Sequence, residues 1–184
     1  MVLSSTTPKV LGIVQSVGAV GMLASSVALG AFSIAGSPAT LLVTGLTTAG
    51  MTLFLVGVIE ALTPMTVAMV GFYAAIPLIN TGADVLVRSN VGNRLQGRVW
   101  GLIGFMTQSG YLVAYAVSGP LADKLFEPMM RHSGTAPALA ASLVGTGPGR
   151  GIALMLALVG IALALLNAPV AMARRAQRQG EVSR

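Results

Sequence analysis

VLGIVQSVGAVGMLASSVALGAFSIAGSPATLLVTGLTTAGMTLFLVGVI, residues 10–59, runs for 50 residues without an Asp, Glu, Lys or Arg. Ordinary soluble domains carry about 25% charged residues, because a surface facing water needs them. This chain of 184 residues carries 9%, with 54% hydrophobic residues. It lacks the charge to cover a soluble core. Hydrocarbon solvates apolar side chains directly and takes roughly 20 of them per helical crossing, so the run is long enough for two crossings. Gly36, Ser37 and Pro38 break it, since Gly relaxes φ and Pro removes a backbone donor. Spans are expected at about 10–35 and 40–59.

Working outward from that stretch, Glu60 and Pro64 punctuate the next break, and the chain is then uncharged from Met65 to Ala83. A third span is expected over 65–86, closed by Asp84 and Arg88, followed by a polar loop over 88–97. A fourth is expected over 98–121, ending at Asp123. Residues 123–150, with Pro128, Pro137, Pro148 and several glycines, read as a surface loop with one short helix near 136–144. A fifth span is expected over 151–173, before a basic tail over 174–184. The apolar character continues on all sides of each run, whereas a membrane barrel alternates polar and apolar residues. The expected fold is a single all-α domain, a polytopic helical bundle of about five transmembrane helices.

Lys and Arg in short flanking segments tend to stay cytoplasmic. Arg88, Arg94, Arg98, Arg174, Arg175, Arg178 and Arg184 fall on one side, and Lys9, Lys124, Arg131 and Arg150 on the other. The bias puts the carboxyl terminus in the cytoplasm. Lys9 and the apolar run after it resemble a secretory signal, but the run exceeds the usual 7 to 15 residue core. The net charge of +6 comes without stacking aromatics among the basic residues, so nucleic acid is not an expected partner.

Polar side chains inside hydrocarbon are costly unless they meet partners or a wet cavity. Spans two and five hold little beyond Thr44, Thr47, Thr48, Thr52 and Asn167, and are expected to face lipid on most sides. Spans one, three and four carry Gln15, Ser16, Ser25 and Ser26, then Asn80 and Thr81, then Thr107 to Ser109 with Tyr111 and Tyr115. These three are expected to line the interior. Gln108, Tyr111 and Tyr115, spaced 3 and 4 apart, share one helix face. That face serves either a cavity wall for an amphipathic solute or hydrogen bonding between helices. Pro77 bends its helix either for packing or for a transport path. Asp84 and Arg88 have the spacing of an ion pair, either as a boundary anchor or as a proton-coupling carboxylate; Glu60 has no obvious partner. Gly18 and Gly21 in span one, and Gly97, Gly101 and Gly104 in span four, permit close helix approach.

There is no cysteine, and His132 is the only histidine, beside Ser133 in the loop. Neither a metal site nor a catalytic triad is expected from these. The stretch Gly145 to Gly151 lacks the Lys followed by Ser or Thr of a phosphate loop, and reads as flexible loop. No cofactor and no enzymatic activity are expected.

Two segments, RSNVGNRLQGRVWG at Arg88 to Gly101 and SGPLADKLFEPMM at Ser118 to Met130, resemble the major facilitator superfamily. The closer likeness is to its macrolide-efflux and enterobactin-exporter branch, where a loop "P-x-E-L-Q-G-R-V-F-G" joins helices ten and eleven, and helix eleven ends in "G-P-L-A-D" before "F-E-P". Leu95, Gln96, Gly97, Arg98, Val99 and Gly101 match; Trp100 replaces Phe, and Asn93 and Arg94 replace the acidic context. The resemblance implies that the five spans correspond to helices eight to twelve of a twelve-helix transporter, with spans two and five against lipid. It also implies proton-coupled efflux of a hydrophobic or amphipathic small molecule. Asn80, Gln108, Tyr111, Tyr115 and Gln15 are then the expected cavity residues. Gly97, Arg98, Gly119, Pro120 and Asp123 are the gate and loop motif, and Asp84 is the candidate for proton coupling. The first half, helix seven and the basic loop between helices eight and nine have no counterpart in this sequence. The implied partners are therefore the bilayer, a small solute and the missing helices, from the same gene or a separate chain; the alternatives are a non-transporting subunit or a truncated fragment.

Overall fold

The computed structural model of the protein describes residues 8–31, 37–131, 142–145 and 149–182, and all regular structure among them is helical. The elements are α1 (Pro8–Ala31), α2 (Pro38–Val58), α3 (Leu62–Asn90), α4 (Asn93–Leu121), a π-helical turn (Ala122–Phe126), α5 (Glu127–Arg131) and α6 (Arg150–Val182). Four segments are long and apolar enough to cross a membrane: Gly12–Ala31, Pro38–Val58, Leu62–Asn90 and Arg150–Asn167. The chain is an all-α bundle built for a bilayer. α4, with 29 residues, matches α3 in length but is not among the four. The reason is its polar middle, where Thr107, Gln108, Ser109, Gly110 and Tyr111 follow one another.

Helix boundaries depart from the sequence expectations in three places. The polar loop expected over 88–97 shrinks to Val91 and Gly92, both extended, because α3 continues to Asn90 and α4 begins at Asn93. Charge favours water there, yet nothing in the backbone breaks the helices except Gly92. The break expected at Asp123 is also absent. Pro120 lacks the N–H that would reach back one turn and its ring crowds the carbonyl there, yet the helix runs past it and on into a wide turn instead of ending. The Glu127 N–H reaches the Ala122 carbonyl, five residues back, and helix continues through α5. Of the short helix expected near 136–144, residues 142–144 are helical and 136–141 lie outside the described residues. Lastly, α6 does not stop at 173; its 33 residues span about 50 Å at 1.5 Å each, beyond the roughly 30 Å hydrocarbon core.

α2 lies between α3 and α6, and α1 packs on α3. Glycine decides how closely. A Cβ on Gly57 would fall 2.5 Å from the Ala153 carbonyl oxygen, one on Gly160 2.5 Å from the Phe54 nitrogen, and one on Gly82 2.6 Å from the Leu42 nitrogen. At these points α2 touches its neighbours backbone to backbone. On the α1 side, Gly18 lies under the Tyr73 ring and Gly21 against Val70, while the Ser25 hydroxyl donates to the Ala74 carbonyl at 2.7 Å. Asn167 is 4% exposed and its amide donates to the Val43 carbonyl at 2.7 Å and the Thr47 hydroxyl at 2.8 Å. α2 thus has helices on two sides, contrary to the expectation that it faces lipid on most sides, whereas α6, among the long helices, packs on α2 alone and keeps its other sides open. Between helices in a bilayer, apolar surface brings no hydrophobic gain and close backbone approach does the work. The threonines of α2 need no interior, since Thr44, Thr47 and Thr52 return their hydroxyls to carbonyls one turn back.

α4 stands apart. None of its residues is buried, and a Cβ on Gly97, Gly101, Gly104, Gly110 or Gly119 would meet nothing within 4 Å. It is held only near its ends. At the corner with α3, the Gln96 amide donates to the Val91 carbonyl at 3.1 Å and to Asn93 Oδ1 at 3.2 Å. At the far end, Met130 is enclosed with Val144 and Ala153, and the Glu127 carboxylate accepts the N–H groups of Gly149 at 2.8 Å and Gly151 at 3.3 Å. That carboxylate sits where the first N–H groups of α6 have no partner of their own, a position that favours negative charge.

Candidate functional site

Between α3 and α4, beyond their short corner, lies an open cleft of about 430 Å³ lined by Asn80, Thr81, Ala83, Asp84, Trp100 and Ile103. On α3, Asn80 and Asp84 are one turn apart, beyond the buried Pro77. On α4, Trp100 and Ile103 are three residues apart and close the other wall. Most of the lining is hydrocarbon or indole, with an amide, a hydroxyl and a carboxylate gathered on the α3 side. Such a wall can hold an apolar body and orient one polar group.

The Arg88 guanidinium reaches the Asp84 carboxylate at 3.0 Å, from the next turn of α3, and the two side chains are 66% and 39% exposed. Pairs this exposed hold by at most about 1 kcal/mol. The carboxylate lining the cleft is therefore paired but not locked.

Of the residues expected to form a cavity, only Asn80 lines this cleft, together with Asp84, the candidate for proton coupling, and the others lie elsewhere. Gln108, Tyr111 and Tyr115 share a stripe of α4 that does not line the cleft, and the two tyrosines are 56% and 79% exposed. Gln15 is exposed on α1. Gly97 and Arg98 lie in the second turn of α4, Gly119 and Pro120 near its end, and Asp123 on the π-helical turn. Gly97 and Gly119 face open space, and Arg98 and Asp123 are exposed. Trp100 and Ile103 are lining residues that sequence reasoning missed; the Trp in place of Phe in the LQGRV segment was the available signal.

Glu60, expected to lack a partner, forms an ion pair with Arg150, whose side chain is 13% exposed. The two are 90 positions apart, and only the packing of α6 on α2 joins them. Gly145, beside them, has φ of +77°, a conformation in which glycine avoids the steric cost of other residues. Among the described residues no three His, Asp or Glu side chains come together as metal ligands would. His132 and Ser133 lie outside the described residues. Compared with known protein families, curated proteins and solved structures, the chain matches none.

Proposed function

We propose that this chain is part of a secondary transporter that exports a hydrophobic or amphipathic small molecule in exchange for protons, completed by helices beyond those described here. The observation that carries this reading is α4: a helix of membrane length with a polar, aromatic stripe, free along its middle, flanking a cleft that a carboxylate lines. A helix of that composition is poorly suited to lipid on all sides. It suits a translocation path that other helices close.

In this reading the solute lies against Trp100 and Ile103 with its polar group toward Asn80. Asp84 exchanges the proton. Protonated, it no longer attracts Arg88, and the ion pair beside the cleft opens; deprotonated, it takes Arg88 back. In this reading the α3–α4 corner and the end of α6 are cytoplasmic, which their basic residues support by the charge rule, and the protein sits in a bacterial plasma membrane. Arg98 and Asp123 sit toward opposite ends of α4, where gating contacts with the completing helices would form.

Trp100 is the only tryptophan, so its fluorescence reports on the cleft without interference. An amphipathic dye is expected to quench it, and Asn80→Ala to weaken that quenching. In membrane vesicles the same dye is expected to move with an imposed proton gradient, and Asp84→Asn to abolish the movement while leaving quenching in place. Dye binding without gradient-driven movement in the unmodified protein would favour a non-transporting membrane subunit. If the dye neither quenched Trp100 nor moved, the export reading would fall.

A further inference from the structure

We infer that the cleft between α3 and α4 takes its occupant sideways from the bilayer. The occupant is a lipid-like amphiphile of the leaflet next to the Val91 and Gly92 corner, with a phosphoethanolamine head on Asp84 and Arg88 and its chain against Trp100 and Ile103. The inference rests on the export reading, and it names the class of solute and the route of entry.

The depth of the cleft carries the route. α3 is uncharged from Met65 to Ala83, about 28 Å of helix at 1.5 Å per residue, close to the roughly 30 Å of the hydrocarbon core. Asp84 therefore falls at the edge of the hydrocarbon, and Asn80 about 6 Å inside it. The other wall gives the same depth independently. On α4 the last charged residue before the uncharged run is Arg98, which sets Trp100 and Ile103 about 3 and 8 Å inside. The indole is thus at the level where tryptophan is enriched in membrane proteins. Transporter sites on a central path lie near the bilayer midplane, whereas this cleft lies at the boundary of one leaflet. Its lining comes from α3 and α4 alone, and no residue of α4 is buried. Among the described residues, then, no third helix walls the cleft off from lipid.

The charges select the head. The Asp84 and Arg88 side chains meet at 3.0 Å while 39% and 66% exposed, a pair weak enough to exchange partners. A cation alone would be repelled by Arg88, and an anion alone by Asp84. A head that carries both charges replaces the pair on both sides at once. The guanidinium takes a phosphate through two parallel N–H bonds, and an ammonium donates to the carboxylate. A primary ammonium has three such donors and a choline head has none. The Asn80 amide and the Thr81 hydroxyl, in the same lining, can accept those that Asp84 leaves.

The test uses the full chain in phosphatidylcholine vesicles and reads Trp100, the only tryptophan, which bromine on a touching acyl chain quenches. Two probes share one brominated chain: lysophosphatidylethanolamine, and a monoacylglycerol with an uncharged head. Quenching by the first is expected to saturate at a mole fraction about tenfold lower than by the second, the ratio that two exposed charge contacts supply. Arg88→Gln is expected to lower that ratio to about threefold, one contact being lost. Quenching by the monoacylglycerol, retained in the variant, shows that its cleft has formed. Quenching of the unmodified protein that rises in proportion to either probe without saturating, or that is equal for the two heads, overturns the inference whatever the variant does. An unchanged ratio in a variant with its cleft intact overturns it as well. The amphipathic dye added from water then decides the export reading separately. If the dye still quenches Trp100, the solute reaches the cleft from water and that reading stands.

Discussion

At the residue scale, glycine separates the two parts of this molecule. A side chain at Gly57 must displace the backbone of α6 at Ala153, whereas one at Gly101 meets nothing within 4 Å. Gly57→Val is therefore expected to destabilise the bundle by about 2 kcal/mol, within the range for overpacked cores. Gly101→Ala should leave it unchanged, as measured by unfolding in mixed detergent micelles. A comparable loss for both would show that α4 is packed in the monomer after all. Asn167→Leu removes two donated hydrogen bonds and is expected to cost about 1 kcal/mol in the same assay, in keeping with hydrogen bonds between membrane helices. Local pairings of this size were legible in the sequence. The Asp84–Arg88 pair and the threonine hydroxyls returning to their own helix depend only on spacing within one turn. Glu60 with Arg150 and Asn167 with Thr47 were not, because each joins residues about 90 or more positions apart, and no periodicity within one helix encodes such a meeting.

At the scale of elements, the reading located the apolar runs well and misjudged where helices stop. Charge and proline served as stop signals at Arg88, Asp123 and Arg174, and at all three the helix continues. A helix ends when its backbone hydrogen bonds fail, and a charged side chain on a helix leaving the bilayer does not break them. Pro120 does remove one, yet the helix runs past it and into the wide turn at Ala122–Phe126. The consequence falls on Glu127, which that turn delivers to the start of α6. Glu127→Ala is expected to speed amide hydrogen exchange at Gly149 and Gly151 by about five- to tenfold, equivalent to about 1 kcal/mol for a lost N-terminal cap. Exchange that is unchanged at both glycines would show that the carboxylate does not hold this end.

For the whole molecule, the sequence made the class plain: a helical membrane protein follows from uncharged runs of sufficient length. The arrangement of helices did not follow. Polarity was used to sort interior from lipid-facing helices, and it ranked α2 and α6 as outermost. In the structure α2 lies between α3 and α6, and small residues at Gly50, Gly57, Ala153, Ala157 and Gly160 let the backbones of α2 and α6 meet, while α6 has no other long helix of the bundle beside it. Polarity singled out α4, and in the structure none of its residues is buried. The candidate site was half legible for the same reason. Asn80 and Asp84 line a cleft with α4, while Gln108, Tyr111 and Tyr115 lie on an exposed stripe outside it.

The two-residue corner of Val91 and Gly92 also bears on how the protein is made. α3 is apolar enough to partition into a membrane by itself and α4 falls short, yet the corner leaves α4 no slack to remain behind in water once α3 has entered. The ribosome thus delivers the two as one hairpin, in which the stronger segment carries the weaker. Lengthening the corner with a flexible Gly-Ser stretch should uncouple them. Glycosylation acceptor sites placed beyond α4 would then report a mixture of chains with α4 inserted and chains with it stranded, where the unmodified protein gives one orientation.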